Sequence, residues 1–263
     1  MDTFIELFDP LSMPLLFLVW GAAGLVFVFS IELVVRRRLH PDLREQISTS
    51  TAVMIQVLAV FYSVLVAFVI VGERNAISDA NDNISAEGAA LAGLYHDVGG
   101  FPQPVRADIQ GATLAYTESV LTHDFRTADQ TGGPSADTTA KLDQLYRTVE
   151  AAEPVVGSSK FYAQAVSDLG DVTKARRGRI ADATDTIPGP LFFLVVLVSV
   201  LVLAMATLLN TRERRAHMAL LAGLAIVVSF NLALIVALEH PFGGAIAISD
   251  QPIRVAVVAP GRH

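Results

Sequence analysis

Four blocks of this sequence, Leu11–Val35, Ala52–Val71, Pro190–Leu209 and Met218–Leu238, consist almost entirely of hydrocarbon side chains. An α-helix rises 1.5 Å per residue, so about 20 apolar residues cross the ~30 Å hydrocarbon layer of a bilayer. Each block reaches that length, and a helix satisfies its own backbone hydrogen bonds in lipid. The blocks therefore predict an all-α integral membrane protein with four transmembrane helices and the lipid bilayer as its first partner. Composition agrees: the chain is 52% hydrophobic and 17% charged, whereas soluble domains carry about 25% charge. The first block is too long for a signal-peptide core, follows Asp2, Glu6 and Asp9, and lacks a basic leader. It reads as a retained span.

Several classes of chemistry have no residues to support them. With no cysteine, disulfides, thiolate catalysis and Cys–metal sites are excluded. The six histidines form no HExxH and no close pair, so the reading carries no metal site and no cofactor. Neither GxGxxG, GxxxxGK[ST] nor GxSxG occurs. The sequence does not read as an enzyme, and a net charge of −7 gives no support to nucleic-acid binding.

The short loops set the sidedness. Arg36, Arg37, Arg38 and Arg44 follow the first span, and Arg212, Arg214 and Arg215 lie between the third and fourth. Positive charge in short loops marks the cytoplasmic face. This places both termini, and the roughly 115 residues from Gly72 to Ile187, on the other side of the cytoplasmic membrane. That segment holds 17 Asp/Glu against 10 Lys/Arg, a balance of −7. Lys174, Arg176, Arg177 and Arg179 oppose the assignment, since they lie within ~15–20 residues of the third span, although Pro188 and Pro190 intervene.

Within the segment, apolar residues recur at helical spacing. Ile77, Ala80, Ile84, Gly88, Leu91, Tyr95 and Val98 form a heptad-like stripe in which Gly88 would admit a close neighbour. Further stripes follow: Val105, Ile109, Ala112, Tyr116, Val120; then Leu142, Leu145, Tyr146, Val149, ending near Pro154; then Phe161, Ala165, Leu169, Val172, Ile180, starting from a Ser158/Ser159 cap. Four such helices suit an extramembrane antiparallel bundle inserted between the second and third spans. The expected domains are residues 1–71, a first transmembrane hairpin; 72–187, the bundle; 188–240, a second hairpin; and 241–263, a short interfacial segment. No proline occurs between residues 52 and 98, which predicts one helix ~70 Å long through both regions.

Four stretches carry a resemblance: "FYSVLVAFVIV", "ISAEGAALAGLYHDVGGFPQPVRADI", "KARRGRIADATDTIPGPLFFLVVL" and "LEHPFGGAIAISDQPI". They resemble the bacterial DUF4239 family, also called bestrophin-like, over roughly residues 10–255. The resemblance implies an anion-channel ancestry, four transmembrane helices and a homo-oligomer, with small ions as possible partners. It transfers no pore residue by motif, and no acidic cluster here matches a calcium clasp.

The candidate site residues come from the spans and their edges. Ala52, Gln56, Ala59, Ser63 and Ala67 make a small, polar face on the second span, suited either to lining a pore or to close helix packing. Ser229 and Asn231 are polar groups in the fourth span, open to the same two readings. Glu32 lies inside the first span, one turn from Arg36, and ionisable residues in spans are functional candidates. Glu239 and His240 close the fourth span and mark either a titrating site or the membrane interface. The cluster Lys174, Arg176, Arg177 and Arg179 would attract ions to a pore mouth, bind headgroups or contact the acidic bundle. Two functions remain: an oligomeric ion channel, or a membrane-anchored envelope module that binds or signals without transport.

Overall fold

The computed structural model describes residues 13–125, 127, 133–184, 187–209, 213–238 and 249–258. Among them the helices are α1 (Met13–Arg38), α2 (Pro41–Asp97), α3 (Val105–Ser119), α4 (Ala136–Ala151), the single turn α5 (Glu153–Val156), α6 (Lys160–Thr184), α7 (Gly189–Leu208), α8 (Arg214–Leu238) and α9 (Gln251–Val258). Four of these, α1, α2, α7 and α8, are long and apolar enough to cross a membrane. The protein is an all-α membrane protein with four spans.

The described chain divides into two compact units, residues 1–74 with 187–239, and residues 75–186 with 240–263. In the first, α8 packs most extensively on α1, and both contact α7. Their crossing depends on Gly24, whose missing Cβ leaves room for Ser229, so the two helix backbones approach closely. Val28, Tyr62, Val66, Val69, Val195, Val202, Ala225 and Ile235 form the core of this unit. Pro188 precedes α7 and Pro190 sits in its first turn, where a missing backbone N–H costs nothing.

α2 is a single helix of 57 residues and contributes to both units, so the continuity expected over 52–98 holds. Its loop from α1 is only Leu39 and His40, and proline at position 41 suits a first helical turn.

The second unit is built on the stripes predicted for it, with a wider stripe on α2. The fully buried positions are Ala80, Ile84, Glu87, Leu91, Leu94 and Val98. Glu87 and Leu94 join the expected stripe in the core, while Tyr95 packs half-buried against it and Gly88 is buried against a close neighbour, as expected of it. Ile109, Tyr116 and Val120 from α3, Leu142, Leu145 and Val149 from α4, and Ala165, Leu169 and Val172 from α6 complete the core. Phe161 is an exception: it is 43% exposed, with the Lys160 ammonium 5.4 Å from its ring centroid. It is the second residue of α6, and the Ser159 Oγ just before that helix accepts the Phe161 N–H as a helix cap.

Of the segment expected over 241–263, residues 249–258 are described, and they group with the bundle unit. They include α9, and Ile253 is fully buried in the bundle core. Gly88 is the reason: a Cβ there would stand 2.7 Å from the Pro252 carbonyl oxygen. The α9 backbone fills the space that a side chain would take.

Candidate functional site

The second span turns a narrow stripe inward. Tyr62, Val66 and Val69 are buried, whereas Gln56, Ala59, Ser63 and Ala67 are exposed and Ala52 is half-buried. Among the described residues the small face is therefore left exposed along most of its length. Ser63 satisfies its hydroxyl locally by donating to the Val60 carbonyl at 2.8 Å. Gln56 is the other polar group on this face and is likewise exposed. Ser229 and Asn231 point elsewhere. Ser229 lies in the Gly24 contact, and Asn231 stands with Ser199 beside the buried Tyr62 hydroxyl, which makes no hydrogen bond of ordinary geometry.

Glu32, 2% exposed, is paired twice. Arg36, one turn along α1, donates to its Oε1, and the His217 Nε2 lies 3.4 Å from the same oxygen. A carboxylate buried in a span is tolerated when charge and hydrogen bonds compensate it. His217 is not among the sequence candidates, although a signal for it exists. Positions 217, 221, 225, 228, 232 and 235 are all buried on one face of α8, so His217 extends an apolar stripe. His217 also lines a cavity of about 330 Å³ with Ser48, Ala52, Ile55, Ala206, Leu209, Leu220, Leu221 and Leu224.

The basic cluster separates into two faces, because residues two apart on a helix lie about 200° apart. Lys174 and Arg177 are exposed, while Arg176 and Arg179 are 6% and 0% exposed. The inward pair meets acids that the sequence does not single out. Arg179 Nε donates to Glu87 Oε2 at 2.7 Å and Nη2 donates to Asp124 Oδ2 at 2.9 Å. Arg176 Nε reaches Asp124 Oδ2 at 3.2 Å and its Nη2 reaches Thr139 Oγ1 at 3.1 Å. Tyr116 donates to Glu87 Oε1 at 2.6 Å, and the Ser135 N–H to Asp124 Oδ1 at 2.8 Å. A π-helical turn, Val120–Asp124, ends α3 and holds Asp124 at this place.

Burial pushes the Asp124 carboxyl up, but Arg176 and Arg179 more than offset it and hold the group below the usual carboxylate range. Burial likewise opposes the Arg179 charge, and Glu87 reverses that effect and raises the group. Tyr116 is pushed well above its ordinary value, first by burial and then by Glu87. Two acids and two guanidiniums cancel in charge. The cluster ties α2, α3, α4 and α6 together, and its arginines offer no surface to an ion or a headgroup.

The sequence model of the bestrophin-like domain matches residues 22–253, nearly the whole chain. The chain belongs to the bestrophin-like family. Among solved structures, a bacterial bestrophin homologue from Klebsiella pneumoniae shares 14% identity, with 96% of this chain and 100% of that one covered, at a TM-score of 0.68. A point mutant of the Klebsiella homologue gives 12%, 93%, 96% and 0.68 for the same quantities. A structure described as a membrane protein variant gives 13%, 92%, 97% and 0.69. At these identities the likeness is one of fold. Among curated proteins, none matches.

In this bestrophin-like chain the structure thus places the candidates in three settings. The α2 face looks outward, Glu32 is clamped in the span core, and Arg176 and Arg179 are enclosed in the bundle. Glu239 and His240 lie outside the described residues. Among the described residues, no group of three or more His, Asp or Glu stands where it could hold a metal ion.

Proposed function

We propose that the chain is one subunit of an oligomeric membrane pore for small ions, with anions as the favoured class. Gln56 carries this reading. Its amide is exposed on a membrane-spanning helix, and an unsatisfied amide in hydrocarbon costs several kcal/mol on the ~2–7 kcal/mol transfer scale. Another copy of the chain or a water-filled path must therefore cover it. Ala59, Ser63 and Ala67 keep that face narrow enough for close approach or for water. Membership of the bestrophin-like family favours the channel over the non-transporting module, and the anion preference rests on the bestrophin relationship.

In this reading the arginine loops face the cytoplasm, and the bundle lies outside the cytoplasmic membrane. A reporter fused after His263 is expected to work only in the extracytoplasmic form. The pore itself is tested by recording from purified protein in planar bilayers. Wild type is expected to conduct, and Gln56→Leu to lose most of its conductance while the oligomer still forms. A well-folded oligomer without flux for any common ion, across voltage and pH, would discard the channel and favour the interaction module.

A further inference from the structure

The cavity beside His217 is graded in polarity along its length. Both of its polar residues stand at the end nearest the arginine loops: Ser48 early in α2, and His217 one turn into α8. One turn deeper the lining is Leu221, and two turns deeper, about 10 Å along each helix at 1.5 Å per residue, it is Ile55 and Leu224. Arg214 precedes His217 by three residues and shares its side of the helix. Glu32, which touches the imidazole from α1, is itself paired with Arg36, so the wall behind His217 is not left with a bare negative charge. At the side, Leu220 lines the cavity and is 68% exposed, so the space is not closed off there by the chain itself.

A cavity of about 330 Å³ lies at the small end of the ~300–1,000 Å³ range of ligand pockets. That is room for one hydrocarbon chain and not for the paired chains of a phospholipid. The geometry points to a binding site for a single-chain fatty acid, its carboxylate toward His217 and Arg214 and its tail against Ile55, Leu221 and Leu224. The site does not rest on the pore reading, because the groups that hold the carboxylate lie on α8, although Ala52 belongs both to this cavity and to the small face of α2.

The test uses the full chain in phosphatidylcholine nanodiscs with a palmitate bearing a diazirine midway along its chain. After photolysis, adducts are expected on the peptides that carry residues 48–55 and 217–224. Excess oleate should reduce them about tenfold, whereas the same amount of phosphatidylglycerol should not. Ala52→Phe, which fills the cavity, should remove the labelling, and Arg214→Gln should weaken oleate and leave an uncharged fatty alcohol unaffected. The proposal fails if adducts scatter over all lipid-facing helix surfaces in the wild type. It fails equally if phosphatidylglycerol competes as well as oleate, since a bilayer lipid would then be the occupant. Both of these outcomes are read on the wild-type chain, whatever the variants do to folding.

Discussion

From Ala80 to Leu94, α2 buries a residue at every third or fourth position, Val98 just past its end continues the spacing, and all six are 0% exposed. Between Ala52 and Val71 the same helix buries only Tyr62, Val66 and Val69, while Val57, Val60 and Phe68 are 67%, 64% and 74% exposed. The bundle stretch finds its partners within one chain. The span stretch does not, and lipid or a second copy must supply the remainder. Perturbing the first should thus change the stability of the chain, and perturbing the second should change what the chain associates with.

The largest effect is expected from Glu87→Ala, which strands Arg179 without its main partner in a site closed to water. Breaking a buried pair on one side costs about 3–5 kcal/mol, to be read by denaturant titration of the detergent-solubilised protein. The double variant Glu87→Leu/Arg179→Met should recover part of that loss, since removing both charges also removes their desolvation cost. If Glu87→Ala is neutral, the bundle stretch of α2 is not held as its burial implies.

Gly88→Val comes next. Its side chain would enter the space held by the Pro252 carbonyl, and overpacking of this kind costs about 1–3 kcal/mol. Hydrogen exchange should show α9 losing protection before α3 and α4 do.

Gln56→Leu sharpens the other side of the comparison. The stability of the single chain should change by less than about 0.5 kcal/mol, as for an exposed site. Association between copies should weaken by about 1 kcal/mol where the amide serves as interhelical glue, measured by single-molecule photobleaching at falling protein-to-lipid ratio.

How much of this was legible follows from where each signal lies. The four spans and the continuity of α2 are local properties, set by apolar length and by the absence of proline. The bundle cluster is not local. Arg179 meets an acid 92 residues away in Glu87 and another 55 away in Asp124, and nothing in "KARRGR" states which of its arginines will find them. The period of the helix does contain half of the answer. Glu87 continues the buried spacing of Ile84 and Leu91, and a charge in that register has to be paired. Taking Gly88 as the stripe residue hides it, and His217 is hidden in the same way at the edge of an arginine loop. α9 is illegible because eight residues carry too little periodicity to reveal a partner.

The smallest effect concerns Asp168. Its carboxyl is pushed up by burial first, with Asp97 and Asp171 adding to the shift and the Gln164 hydrogen bond opposing it. A carboxyl raised in the folded state costs stability at neutral pH, and that cost is relieved as pH falls through its folded value. Asp168→Asn should therefore stabilise the protein near pH 7 by about 0.5 kcal/mol and flatten this part of the pH profile. Asp124 acts with the opposite sign. Its depressed carboxyl contributes stability that is complete above the unfolded value and is lost as pH falls through the lower folded one. Asp124→Asn should accordingly remove a portion of the acid sensitivity while lowering stability at neutral pH. Thermal melts of the two variants between pH 3 and about 7, where unperturbed carboxyls near ~4 are titrated, distinguish them.

The seat of Ile253 beside Gly88 also orders events in time. The bundle core begins with residues made early, at Ala80, yet it closes only when α9 arrives. Synthesis must first pass through α7 and α8, so the third and fourth spans leave the ribosome before the bundle can be sealed. A chain stalled or cut between Leu238 and Gln251 would present its spans to the insertion machinery while a socket stood open on α2. Such a product carries its defect on the bundle surface, where a protease or chaperone that inspects newly made membrane proteins can detect it.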